Sequence, residues 1–260
     1  SPDKLGNYET RYDNNWAQMC ININRSGGTT TVTLAETCNP FIDCAGEIYG
    51  AAQPACDGNC NGIRKAGDLN VNYQRDNNDR GLYANGILQN TLAPAPCNDL
   101  NLDNNISVTD LAYLNACLMQ QAGITDDHGH DHCDLPAFNI YNPNDTAWFT
   151  IGNYSAANQY IDIYARSPIA KLHALQFTVS GINITNAQLQ PIAAYGGNVY
   201  YNATTGKVIV YPSDTTYLPT SNNYAPFLRL YYSNASISIN NVLLNNFTVV
   251  NNTLEEFVAQ

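Results

Sequence analysis

Between Cys97 and Leu118 the chain reads CNDLNLDNNISVTDLAYLNACL. With Asp99 as position 1, oxygen-bearing side chains recur at Asn101 (3), Asp103 (5), Asn105 (7), Ser107 (9) and Asp110 (12). Crowded carboxylates repel one another, and a hard cation offsets that repulsion. In a twelve-residue calcium loop, positions 1, 3, 5 and 12 supply side-chain oxygens, position 7 its carbonyl, and position 9 often a water. Position 6 needs a sharp turn and carries Asn104; position 8 faces inward and carries Ile106. Leu111, Leu114 and Leu118 then follow at helical spacing. Asp99, Asn101, Asp103, Asn105 and Asp110 are therefore the expected calcium ligands. The blander alternative is an Asn-rich surface loop that only caps a helix, with Thr109 or Asp110 as the cap.

A second copy lies upstream. DLNVN at Asp68–Asn72 matches DLNLD at Asp99–Asp103, and Asp79 falls where Asp110 falls. This copy, with Asp68, Asn70, Asn72 and Asp79 as donors, is degenerate: Tyr73 stands at position 6 and Arg75 at position 8. DGNCNGIRKAGD competes with it, offering Asp57, Asn59, Asn61 and Asp68 with Gly62 at position 6. Asp68 cannot serve both loops fully, and the two readings stand side by side.

DLNLDNNISVTDLAYLNACL resembles a dockerin repeat, the calcium-binding half-module of cellulosomal and other bacterial surface proteins. Asp at the twelfth position, followed by Leu-x-x-Leu, carries the likeness. The resemblance implies two loop–helix units, each holding one calcium, and a cohesin-type partner. Cys97 and Cys117 bracket the strong loop and its helix, so a bond between them would staple the helix end to the start of the loop. Cys56 and Cys60 are candidates for a similar role upstream, although spacing fixes no connectivity.

The elements around these loops differ in texture. MCININ and TTTVTLAE alternate about RSGG and predict a hairpin within an N-terminal arm, residues 1–48. RGLYANGILQNTL and DLAYLNACLMQQ predict two helices in a module spanning residues 49–122. GITDDHGHDHCDLP, residues 123–136, reads as a linker. In an extended segment His128, His130 and His132 would face one way and could hold zinc, copper or nickel; the alternative is a solvated linker. From Ala137 to the end, nine strand-like segments alternate with Asn, Gly, Pro and Ser turns, predicting an antiparallel β-sandwich over 137–260. The expected class is mainly β with a small α portion. YIDIYARSPIAKLHALQFTVSGINIT and GKVIVYPS are similar to a cohesin-like sandwich. The whole order resembles secreted surface proteins of Bacteroidota, in which Asp-Thr-small sites can carry O-glycans. That would nominate Thr146 and Thr215.

Composition narrows function. The net charge is −11, from 11 Lys+Arg against 22 Asp+Glu, which argues against nucleic acid, a partner that requires basic surface. The eight cysteines include no C-x-x-C pair, so disulfides in an oxidising compartment are expected rather than zinc or redox sites. No transmembrane run or signal peptide is evident, and Ser1 in place of Met reads as a processed, secreted chain. N-glycan candidates are Asn24, Asn144, Asn153, Asn183, Asn202, Asn234, Asn246 and Asn251. No nucleophile elbow, zincin, phosphate-loop or dinucleotide motif occurs, and catalysis is not expected. The chain is therefore expected to be a calcium-stabilised structural protein of the cell surface or extracellular matrix. It would be a fibre or surface-layer subunit that self-associates by β-strand addition. The alternative is a module that recruits a protein or a glycan, the latter through some of its 18 tyrosines.

Overall fold

The structure is a computed structural model and describes residues 8–10, 19–26, 29–35, 45, 55–60, 62–124, 131–137, 141–190, 196–212, 216–233 and 237–260. The chain divides into two compact units, Ser1–Ile63 and Arg64–Gln260. In the first, β1 (Tyr8–Thr10), β2 (Met19–Ser26) and β3 (Thr29–Ala35) form an antiparallel sheet in the order β1-β2-β3. Ser26 lies opposite Thr29, so β2 and β3 pair as the expected hairpin.

The second unit contains both helices and the large sheet. Helix α1 (Asn77–Gln89) and helix α2 (Val108–Gln121) precede β4 (Tyr141–Ser155), β5 (Tyr160–Ser167), β6 (Leu172–Ser180) and β7 (Ile184–Leu189). Then come β8 (Gly197–Tyr201), β9 (Lys207–Pro212), β10 (Ser221–Tyr232), β11 (Leu243–Asn251) and β12 (Glu256–Ala259). The sheet order is β7-β10-β5-β4-β12-β11-β6-β9-β8. Its pairings are antiparallel except β12 with β4, which run parallel. β7 and β8, at opposite ends of that order, lie against each other, so the sheet is nearly closed into a barrel. The protein is mainly β with a small α portion, as its sequence predicts.

Period-two alternation builds the interior. Ile161, Ile163 and Ala165 of β5 point into the core, whereas Tyr160, Asp162, Tyr164 and Arg166 occupy the alternate positions. Phe149, Phe177, Val208, Val210, Phe227 and Val249 meet them from other strands. Phe247 stacks on Phe149 and Phe177 with ring centroids 4.8 and 5.5 Å apart.

Strand β9 breaks the alternation. Its run VIVY is buried on both faces, which requires cover on both sides of the sheet. The helices provide it: α2 packs on β6, β9 and β11, and α1 packs on β8 and β9. Ala174, Ile209, Tyr211 and Val250 are buried without belonging to the central cluster and form the sheet side of this second layer. Burying each large apolar side chain contributes about 1.5–3 kcal/mol.

Two departures occur near the C-terminal end. SISINNVLL is not a separate strand: Ile239–Asn241 form a 3-10 turn, and VLL and FTVVN fall largely within a single β11. The sequence reading also missed β12, whose four residues begin at the second Glu of an acidic pair and are too few to show a pattern.

Candidate metal centre

Asp99 and Asp110 close the stronger loop from either end. Asp103 N–H donates to Asp99 Oδ1 (3.2 Å) and Asn104 N–H to Asp99 Oδ2 (2.9 Å). Leu100 N–H donates to Asp110 Oδ1 (2.7 Å) and Ser107 N–H to Asp110 Oδ2 (2.9 Å). Ser107, rather than Thr109 or Asp110, is the N-cap of α2, and Asp110 completes a capping box from the third helical position.

The upstream loop repeats this pattern bond for bond. Asn72 N–H donates to Asp68 Oδ1 (3.1 Å) and Tyr73 N–H to Asp68 Oδ2 (2.9 Å). Leu69 N–H donates to Asp79 Oδ1 (2.8 Å) and Asp76 N–H to Asp79 Oδ2 (2.9 Å). The backbone repeats too, with left-handed φ at Val71 and Leu102 (both 59°), and at Tyr73 (66°) and Asn104 (63°). Val71, which is β-branched, is strained at positive φ, so the upstream turn is held by its surroundings rather than by local preference. Both oxygens of Asp68 therefore serve the loop running to Asp79. Asp57 is exposed and accepts from Asn59 N–H (3.1 Å) and Asn59 Nδ2 (2.8 Å). Asn61 lies outside the described residues.

The loops differ at their third position. Asn70 Oδ1 accepts from Asn72 N–H (3.0 Å). Asn101 Oδ1 has no hydrogen-bond donor, although Asn101 is 0% exposed. A buried amide oxygen left without a partner is destabilising by about 1–3 kcal/mol. Each loop has three carboxylates, but the middle one differs in place: Asp103 at position 5 of the stronger loop, Asp76 at position 9 of the upstream loop. Burial, reinforced by the charges of Asp103 and Asp99, pushes the Asp110 carboxyl up to about 7 against the two backbone N–H bonds. Tyr83 is fully buried and donates to Asn98 O (2.6 Å). Its hydroxyl is held well above its ordinary range by burial and by Asp110, Asp79 and Asp99. Acid thus accumulates between the repeats.

These donors fit a hard, oxygen-seeking cation. Asp99, Asn101, Asp103 and Asp110, with the Asn105 carbonyl, could hold calcium, since each carboxylate oxygen retains a lone pair after accepting its backbone bond. Among the described residues no group of three His, Cys, Asp or Glu side chains forms a metal set by itself. The loop's donors are partly amide and main chain, and its carboxylates lie on their own backbone N–H groups.

Cys117 is bonded to Cys133, not to Cys97 as the bracketing suggested. After α2 the chain turns at Gly123 (φ 80°). Residues 131–137 return to the repeat: Ala137 N–H donates to Leu100 O (2.8 Å), and Cys133 faces the end of the helix. Cys56, Cys60 and Cys97 are also disulfide-bonded. Arg75 reads in the sequence only as a sign of degeneracy, because it stands where the stronger loop has an inward Ile106. It donates to Ala66 O and to Cys133 O (2.8 Å), tying the upstream loop to this returning strap. His132 N–H donates to Gln120 Oε1 (2.7 Å), while His128 and His130 lie outside the described residues.

The modification candidates separate by exposure. Asn144, Asn153, Asn183 and Asn246 are exposed, and Thr146 is half-buried. Asn202 and Asn251 are buried, which removes them as glycan sites in this fold. Asn202 Nδ2 donates to Leu88 O (3.0 Å), and Asn251 Nδ2 donates to Glu255 Oε2 (2.9 Å), so neither amide nitrogen is available. The backbone of Asn24 lies in β2; Asn234 and Thr215 lie outside the described residues.

Comparison with protein families and with curated proteins finds no match. Among solved structures, a chain from the crystal structure of a variant CaDoc0917–CaCohA2 complex at pH 5.5 is similar at 8% identity and a TM-score of 0.28. The match covers 44% of this chain and 94% of that one, and at that level it bears on neither fold nor function. Among the described residues no helix is long and apolar enough to cross a membrane, which says nothing of a β-barrel. The disulfides fit an oxidising environment.

Proposed function

We propose that this protein is a secreted, non-catalytic structural subunit in which calcium sets a dockerin-like repeat as a brace on a cohesin-like sheet. The observation that carries this reading is Asn101 Oδ1, buried without a donor in a loop whose backbone bonds to Asp99 and Asp110 are matched by its twin's to Asp68 and Asp79. Calcium would give that oxygen its partner and neutralise the acid collected around Tyr83.

The burial of α2 supports bracing over recruitment. Every residue from Val108 to Cys117 is buried, so this stretch offers a partner no free face. Its bonds run inward instead: Val108 N–H donates to Gln176 Oε1 (3.2 Å), and Asn115 Nδ2 to Pro212 O (3.2 Å). Self-association would use the small sheet, where β1 and β3 are the outer strands and can accept a neighbour's strand. The large sheet is nearly closed and offers less edge.

Negative-stain electron microscopy of the native protein, with calcium and after chelation, tests the proposal. Fibres or sheets that loosen on chelation are expected. Dispersed single particles in both conditions would refute self-assembly, and unchanged order after verified chelation would refute the calcium brace.

A further inference from the structure

Four cations occur in residues 141–260: Arg166, Lys171, Lys207 and Arg229. Three have oxygen acceptors. Lys171 Nζ donates to the Tyr217 hydroxyl (3.0 Å), Lys207 Nζ to Ile87 O (3.0 Å), and Arg229 forks onto Asp162 at 2.7 and 2.9 Å. Arg166 has no hydrogen-bond acceptor among the described residues, and its Nε is sealed from solvent without one. Its guanidinium instead lies 4.1 Å from the ring centroid of Trp148 and 5.6 Å from that of Tyr224.

Arg229, on a neighbouring strand, shows what is missing. Its guanidinium lies 3.7 Å from the centroid of the Tyr160 ring, and its in-plane donors meet a carboxylate. Ring faces attract the charge of a guanidinium but leave its in-plane N–H donors unused. Arg166 has the aromatic support and lacks the carboxylate. The support itself is fixed: Trp148 pairs with Arg166 across β4 and β5, and Trp148 Nε1 donates to Gln260 Oε1 (3.2 Å). A guanidinium held in advance loses little freedom on taking a ligand.

We infer that Arg166, held between Trp148 and Tyr224 on β4, β5 and β10, receives the carboxylate of a uronate-bearing glycan. Strand β5 has both edges used, by β4 and β10, so a peptide cannot add there as a strand. The neighbours are an exposed Thr150, a Tyr224 ring 44% exposed, and the Tyr164 hydroxyl, which accepts from Asn153 Nδ2 (2.9 Å). Ring faces and hydroxyls suit a sugar, whereas a peptide would need pockets for its side chains. The net charge of −11 opposes a dense polyanion, so the fitting ligand carries isolated uronates among neutral sugars. The inference does not rest on calcium.

The chain has two tryptophans, and Trp16→Phe leaves Trp148 as a fluorescent reporter beside Arg166. Full-length Trp16→Phe protein is titrated with an oligosaccharide containing single glucuronates, with its carboxyl-reduced neutral counterpart, and with an acidic peptide. The uronate sugar is expected to give a saturable fluorescence change, with the other two at least about tenfold weaker. Arg166→Gln should abolish it and Arg166→Lys should weaken it. Thr150→Glu, at an exposed strand position diagonal to Arg166, should weaken it by supplying an internal carboxylate. If Arg166→Gln fails to fold by circular dichroism, Thr150→Glu and Arg166→Lys decide. An equal response to the neutral sugar, a stronger one to the peptide, or none at all would overturn the inference.

Discussion

Replacing Asn101 by Ala separates the cation from the fold. The substitution removes the orphan Oδ1 and the bond from Nδ2 to Asp103 Oδ2 (2.9 Å), and it leaves a small cavity. Bond and cavity are lost whether or not calcium is present, so their cost cancels when the two conditions are compared. What remains is the ligand that Oδ1 supplies. At a calcium concentration a thousandfold above the dissociation constant, the ion stabilises the native protein by about 4.1 kcal/mol. If Asn101→Ala weakens binding about a hundredfold, the same concentration gives about 1.4 kcal/mol. The variant should therefore lose about 2.7 kcal/mol more with calcium than without it. For a unit of this size that corresponds to about 5–11 °C in Tm. Differential scanning calorimetry of both proteins, with saturating calcium and with chelator, gives the four melting temperatures. An equal drop in both conditions would show that Asn101 has only a packing role and would refute the assignment of its oxygen to the ion.

Two further outcomes follow from the same repeat. Burial raises the Asp110 carboxyl from 3.8 to about 7, so the folded, calcium-free protein binds a proton that the unfolded chain has released. Its stability should fall as pH rises from about 4 to 7, by at most about 1.4 kcal/mol per pH unit, while saturating calcium should remove that slope. Urea melts across this window check the sign, and a calcium-free stability that rose with pH would contradict it. Cys133→Ser opens a disulfide of sequence separation 16 and should lower the unfolding free energy by about 3 kcal/mol, read from urea melts; an unchanged midpoint would show that the strap is held without it.

The stronger loop was legible because its oxygen-bearing residues recur at set offsets, and those offsets can be read without any knowledge of packing. Its twin was harder to see, since Tyr73 and Arg75 occupy a turn position and an inward position. The structure preserves the backbone there through Asp68 and Asp79 while giving Arg75 a different task. The strands were legible from alternation, but the cover over them was not drawn from the sequence. VIVY in β9 carried the signal, as a run that cannot leave either face in water. Disulfide pairing could not be read, because it depends on residues 131–137 doubling back, and that return is set by contacts distant in sequence. Exposure of the sequons was equally hidden, for Asn202 and Asn144 share a motif and differ only in what covers them.

Different strands of the large sheet carry different groups on the face turned away from the core. Where the helices lie, polar groups are consumed internally. Asn115 reaches Pro212, Arg80 Nη1 donates to Asn115 Oδ1 (3.0 Å), and Lys207 meets the end of α1. Under the proposed calcium brace, an ion in the loop before α2 would act on that whole layer, because Asp110 is at once a candidate ligand, the capping-box partner of Ser107 and a buried acid. Losing the ion would leave this acid buried against Asp99 and Asp103 at the point where the helix is capped, so loosening should begin at the brace and reach β6 through Val108 and Gln176. The row Trp148, Arg166 and Tyr224 lies on β4, β5 and β10, whereas the helices pack chiefly on β6, β8, β9 and β11, so the proposed ligand would bind away from the brace. Stiffening and recognition are thereby assigned to separate strands of one sheet, and a substitution in either row should leave the other's readout intact.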